Sequence, residues 1–322
     1  FKQKTAYEIL RSDWSSDVCS SDLVSKNMNA SANHFTPEVF IYFSEIKNIC
    51  YNQGMIIDSH VHFGKSLGYS MPQKDVLTAM ERYGISKIIV SSVSSVETDT
   101  EHRILPEDQQ IPMIQTAKDT IDFAKSNSGS VFAAIWVKPQ LEQPSAELEY
   151  LLKIHQQYVK AIKIHPFYSS LEFDSPKIEP YIELAERLEL PVIVHTANDG
   201  FSECRKVYNM AKRHPHVKFV MAHLGLETDH EEAIDICAKL PNLFGDTAWV
   251  SYDKAIKFIK KAGSEKLLFG SDMPIDGVDT YAHNKTGDRS IYQDYFYELE
   301  KMISADSFEK IMWKNAENFF KL

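Results

Sequence analysis

The chain has 322 residues, 43% of them hydrophobic and 25% charged, with 12 Gly and 13 Pro, a balance that excludes collagen-like, low-complexity and disordered classes. Lys and Arg number 35 against 45 Asp and Glu, and the resulting net charge of −10 repels polyanions and argues against nucleic acid as a partner. No stretch reaches the ~18 uninterrupted apolar residues of a membrane span, and the run from Phe1 to Lys4 lacks the apolar block of a secretory signal, so no membrane partner and a cytoplasmic location are expected.

Residues 1–54 read as a short, poorly ordered N-terminal extension. Asp13 to Leu23 is rich in Ser and Asp and has neither a two-residue nor a 3.6-residue apolar period. That string also resembles the translation of a sequencing-library adapter, which would make residues up to about Leu23 an assembly artefact. Thr36-Pro37 opens a candidate amphipathic helix that runs to Cys50. Met55 is the expected natural start, with Met28 as the rival. Cys19, Cys50, Cys204 and Cys237 form no Cys-x-x-Cys pair, so neither a disulfide framework nor a thiolate metal site is expected.

From Met55 onward, β-branched runs alternate with segments of helical period, the pattern of parallel βα units. Eight strands are predicted: Ile56–Phe63, Ile85–Ser92, Val131–Pro139, Val159–Pro166, Pro191–Thr196, Val217–Leu224, Leu243–Ala248 and Lys266–Asp272. Between them, apolar stripes mark helices around Val76 and Met80, Ala117 and Ile121, Leu148 and Leu152, Ile182 and Ala185, Val207 and Ala211, Ile234 and Cys237, and Ala255 and Ile259. Eight such units over residues 55–322 match a closed (β/α)8 TIM barrel in count and size. A doubly wound sheet is the alternative, but no glycine-rich phosphate loop follows any strand. Long connections at Val93–Pro112, Phe167–Lys177 and Met273–Arg289 leave the strand ends where barrel enzymes place their sites.

Polar residues gather at those same ends. In Asp58-Ser59-His60-Val61-His62, the strand period of two puts His60 and His62 on one face, a chelating arrangement. Lys163 and His165, His195, His223 and Asp272 end four further predicted strands. Singly, each suits a satisfied core histidine or a capping aspartate. Together they place several imidazoles beside a carboxylate, which points to a metal site. Such a donor set suits one divalent ion, with Zn²⁺ as first choice and Mn²⁺ or Fe²⁺ open. His34, His155, His214, His216 and His230 read as solvated, whereas His102 and His283 lie in long loops that could reach a substrate. Asp58 reads as a core or supporting residue.

These motifs resemble the amidohydrolase superfamily, and specifically its amidohydrolase-2 branch, which includes decarboxylases related to aminocarboxymuconate semialdehyde decarboxylase. The resemblance rests on Asp58-Ser59-His60-Val61-His62-Phe63-Gly64, Ile162-Lys163-Ile164-His165-Pro166, Val194-His195-Thr196, Ala222-His223-Leu224-Gly225, Gly270-Ser271-Asp272-Met273-Pro274 and the closing Asn315-Ala316-Glu317-Asn318-Phe319-Phe320. It implies that His60, His62, His195 and Asp272 ligate the metal and that His223 activates water or polarises the substrate. Asp272 would take the water's proton. The Lys-x-His-Pro form of Lys163 and His165 looks like that of the mononuclear branch, where these groups face the substrate, rather than a binuclear site bridged by a modified lysine.

The expected activity is a metal-dependent hydrolase in which activated water attacks a small carbonyl or ester substrate. The alternative is a lyase, a nonoxidative decarboxylase or hydratase of a small carboxylic acid at the same site. Arg103, Lys138 and Arg289 are the candidate carboxylate anchors by position. A metal-binding barrel without catalysis, and a metal-dependent nuclease, are the weaker readings; the negative charge and absence of a basic strip disfavour the latter. The partner is a small-molecule substrate, and the residues leave the oligomeric state open, a homodimer among the options.

Overall fold

The computed structural model describes residues 55–273 and 295–322. The extension 1–54, the helix expected at Thr36–Cys50, and the loop beyond Met273, including His283 and Arg289, lie outside the described residues. Nine strands form one sheet: β1 (Ile57–Ser66), β2 (Tyr69–Met71), β3 (Lys87–Ser92), β4 (Val131–Trp136), β5 (Val159–Ile164), β6 (Val192–Ala197), β7 (Phe219–Leu226), β8 (Leu243–Asp246) and β9 (Leu267–Leu268). Their order is β2-β1-β3-β4-β5-β6-β7-β8-β9. β2 folds back antiparallel on β1, and every other neighbouring pair is parallel.

The eight predicted strands are all present as β1 and β3 to β9, and β2 is an addition that the sequence pattern did not announce. The last predicted strand, Lys266–Asp272, shrinks to a two-residue ladder with β8 because its remainder turns to the opposite neighbour. Ser59 N donates to Phe269 O at 2.9 Å, His62 N to Met273 O at 2.7 Å, and Asp272 N to His60 O at 2.9 Å. Those bonds join the last segment to β1 and close the (β/α)8 barrel. Asp58 reinforces the seam, its Oδ1 accepting from Ser271 N at 3.1 Å and its Oδ2 from the Ser271 hydroxyl.

Helices cover the outside where the stripes predict them, at Gln73–Tyr83, Met113–Ser126, Ala146–Ile154, Glu179–Arg187, Cys204–Arg213, Glu231–Lys239 and Tyr252–Ala262. Each buries the apolar stripe against the sheet, as Val76, Ala79 and Met80 do in the first and Val207, Met210 and Ala211 in the fifth. Inside the barrel, Ile57, Ile89, Ala134, Ala161, Ile193, Val220 and Leu268 form a second core, closed at one end by Phe319 and Phe320 of the final helix Asn315–Phe320. Each buried Ile, Val, Leu or Phe side chain among them contributes about 1.5–3 kcal/mol. This apolar plug leaves the opposite end for polar residues. Among the described residues no helix is long and apolar enough to cross a membrane.

Candidate metal centre and active site

The inner face alternates along each strand. On β5 the apolar Ala161 is followed two residues later by Lys163, and on β6 Ile193 is followed by His195, so the polar layer sits directly above the apolar one. On β1 the parity changes. Ile57 faces the inner core, and the register against β3 shifts between Asp58 and Val61. That irregularity moves the inward positions to His60 and His62.

The two imidazoles meet at Nε2···Nε2 3.1 Å. Asp272 Oδ1 lies 3.0 Å from His62 Nε2 and 3.4 Å from His60 Nε2. A tetrahedral shell with bonds of ~2.0–2.1 Å imposes donor spacings of about 3.3 Å, so this triangle of two nitrogens and a carboxylate oxygen has the dimensions of a divalent-metal cradle. His60, His223 and Asp272 also have ligand atoms all within 4.8 Å of one another. His195 stands alongside, its ring 4.9 Å from that of His223 and stacked at 3.8 Å on His165, which is in turn stacked at 5.1 Å on Trp136. The His195 ring makes no hydrogen bond among the described residues. Lys163 places Nζ 2.9 Å from His60 Nε2.

Polar neighbours fix these rings. His60 Nδ1 donates to Asp246 Oδ2 at 2.8 Å, which leaves Nε2 as a bare lone pair aimed at the centre. His62 Nδ1 pairs with Ser91 Oγ at 2.9 Å, and His223 Nδ1 donates to Ala248 O at 3.2 Å. Asp246 Oδ1 also accepts from His223 N at 2.8 Å and Ala248 N at 3.2 Å. A Cβ on Gly270 would come within 3.0 Å of the His60 Cβ and 3.2 Å of the Asp246 Cβ, so only glycine lets the closing segment approach so near. His223 and Asp272 both adopt left-handed backbone, φ 69° and 65°, a conformation that costs an ordinary residue about 1–3 kcal/mol and concentrates at functional sites.

Burial lowers His60, His165 and His195 well below the ordinary histidine value, with neighbouring positive groups adding to the effect, Lys163 among them in each case. It takes His223 down to about 4 against the opposing pull of Asp272 and Asp246. The rings are therefore neutral at pH 7, the form that ligates metal. Burial works to raise Asp272, but His60, the hydrogen bond with His62, and His223 outweigh it and hold the carboxyl below its usual range. Burial brings Lys163 down to about 8, opposed by Asp272 and Asp246. Burial raises Asp246, against His223 and Lys163.

Two of the expected carboxylate anchors are engaged elsewhere. The exposed Arg103 guanidinium pairs with Asp99 at 2.8 Å and Glu101 at 2.6 Å. Lys138 is buried and donates to Ile111 O at 2.8 Å. Asp246 and Ser91 escaped the sequence reading. Asp246 had a visible signal, an acid within the predicted strand Leu243–Ala248, close to the one at the end of a predicted strand that singled out Asp272.

A closed parallel barrel with buried imidazoles, a carboxylate and a lysine at one mouth defines a barrel enzyme with a candidate metal site. The chain belongs to the amidohydrolase family Amidohydro_2, whose model matches residues 57–322. Comparison with the curated proteins finds no sequence match. Solved structures share the fold at low identity. A 5-carboxyvanillate decarboxylase from Novosphingobium aromaticivorans, with bound manganese and 3-methoxy-4-hydroxy-5-nitrobenzoic acid, is 14% identical with TM-score 0.63 over 83% of this chain and 97% of its own. A 2,6-dihydroxybenzoate decarboxylase from Rhizobium is 14% identical with TM-score 0.58 over 84% of this chain and 99% of its own. A probable 2-pyrone-4,6-dicarboxylic acid hydrolase from Acinetobacter baumannii, with citric acid bound, is 13% identical with TM-score 0.55 over 84% and 100%.

Proposed function

We propose that the chain is a metal-dependent nonoxidative decarboxylase of a small, planar carboxylic acid. His60, His62, His195 and Asp272 would hold one divalent ion, and His223, Lys163 and His165 would face the substrate. The observation that carries this reading is the convergence of His60, His62 and Asp272 at metal-ligand spacings with the buried Lys163 amine 2.9 Å from His60 Nε2. His195 is assigned as the fourth ligand because its ring makes no hydrogen bond among the described residues, while the Nδ1–H of His223 on Ala248 O leaves the His223 Nε2 lone pair to face the substrate. Two of the neighbours named above are decarboxylases of aromatic acids, which favours the lyase reading over the hydrolytic one.

A divalent ion bound there supplies Lewis-acid polarisation of a substrate oxygen. The chain's own groups do the rest. Lys163 offers a buried donor for a substrate carboxylate, and the stacked rings of Trp136, His165 and His195 present a flat wall for a planar acid. The Trp136, Lys163, His223 and Asp272 side chains are all buried, so water is excluded around the scissile bond. When the bond to CO₂ breaks, its electron pair stays on the substrate carbon, and that carbon takes a proton from the Lys163 ammonium, because the neutral His223 ring carries its one proton on Nδ1.

The test is to load purified protein with Mn²⁺ or Zn²⁺ and measure CO₂ release from hydroxybenzoic acids beside hydrolysis of lactones and esters. Metal-dependent CO₂ release is expected; hydrolysis without it returns the assignment to the hydrolytic alternative. His195→Ala should lose metal and turnover together, whereas His223→Ala should keep the ion and lose turnover. Equal metal loss in both would refute this ligand set.

A further inference from the structure

Trp249 follows β8, and its indole Nε1–H donates to Asp272 Oδ2 at 2.8 Å. Asp272 Oδ1 is the oxygen that faces His60 and His62. The two oxygens of one carboxylate therefore have separate partners. Indole is a donor only and neither titrates near neutral pH nor binds metal, so it can orient the carboxylate without competing for the ion. Trp249 also adopts left-handed backbone, φ 60°, which is an outlier for so bulky a side chain. The turn is held by Val250 N on Thr247 O at 3.0 Å and by the Tyr295 hydroxyl on Val250 O at 2.9 Å. A strained residue braced from several sides, with its one polar atom on a candidate ligand, is the pattern expected where positioning outweighs local comfort.

We propose that Trp249 is a positioning residue that locks Asp272 as a one-oxygen ligand, turning Oδ1 to the ion and engaging Oδ2 so that this oxygen does not serve as the proton acceptor. The inference rests on the metal assignment above. Trp249→Phe keeps an aromatic ring and removes the N–H, and Trp249→His restores an N–H donor. The readout is Mn²⁺ affinity of the full chain, measured by competition with a chromophoric chelator. Outer partners of metal ligands typically contribute 10–100-fold in affinity, so the Trp249→Phe variant should bind on the order of tenfold or more weakly, with partial recovery in Trp249→His. If Trp249→Phe does not fold, Trp249→Leu replaces it in the comparison. Affinity within twofold of the unchanged protein, or no recovery in Trp249→His, overturns the role of Trp249. Absence of saturable Mn²⁺ binding by the unchanged chain overturns the metal assignment and this inference together.

Discussion

Asp246 holds two of the candidate site residues at once. Its Oδ2 accepts from His60 Nδ1 while its Oδ1 accepts from the backbone N–H groups of His223 and Ala248. The first bond selects the His60 tautomer with a bare Nε2, and the second pins the left-handed turn at His223. In Asp246→Asn, an amide oxygen kept on the two backbone donors turns the NH₂ toward His60 Nδ1, which then becomes the acceptor and leaves the proton on Nε2. Metal affinity should fall by roughly 10–100-fold, read as metal content after dialysis against fixed Mn²⁺; full retention would show that the bond does not set the tautomer. Spacing makes His60, His62, Lys163, His195, His223 and Asp272 legible as a group, because each is a polar residue where the strand pattern calls for an apolar one. Asp246 obeys the same logic yet acts through a histidine, and Ser91 resembles any strand serine until the fold brings it to His62. Pairings between distant strands have no local signature.

At the scale of elements, Glu97 ties three connections together. Its Oε1 accepts from Gln140 N and Leu141 N, both at 2.8 Å, and its Oε2 from the Ser169 hydroxyl. Burial raises its carboxyl to about 7, against the lowering effect of those donors and of Lys138. The folded state thus binds a proton that the unfolded chain releases near pH 4.5. Stability from this group is complete below that value and is lost as pH rises through about 7, by up to about 3 kcal/mol. Glu97→Gln should remove that loss, so the difference in melting temperature between variant and unchanged protein should grow in the variant's favour from pH 5 to pH 8. A difference independent of pH would mean that the carboxyl titrates normally. The sequence placed Glu97 in a long loop and nothing local marked it as buried. Strands and helices were legible because their periods are local. The β2 hairpin was not, since residues 64–71 lack alternation, and neither was the parity change on β1, because an irregularity in register exists only relative to a neighbouring strand.

For the whole molecule, the consequence of the site is a linkage between metal, protons and folding. Closure depends on the seam where Asp58 and Ser271 meet and on backbone bonds from residues 269–273 to β1, and Asp272 lies within that seam. An ion held by Asp272 from one side and His60 and His62 from the other would cross-link the first and last strands of the barrel. Anything that binds only the folded state stabilises it by about 2.7 kcal/mol at a free concentration one hundred times its Kd, which in a domain of this size corresponds to a rise of roughly 5–10 °C in melting temperature. Chelation should reverse the rise. The pH dependence has a definite sign as well: folded-state values of His60, His165, His195 and His223 lie below the ordinary one, so the metal-free protein keeps their contribution above about 6.5 and loses it as pH falls toward the folded values, about 4 for His223. Protons and metal compete for the same rings, but in the folded protein only near those lowered values, so the metal-induced rise should be nearly equal at pH 7.5 and pH 5.5 and smaller at pH 4. Melting curves with and without Mn²⁺ at the three pH values measure both effects, and a metal-induced rise that is undiminished at pH 4 would place the ion away from these histidines.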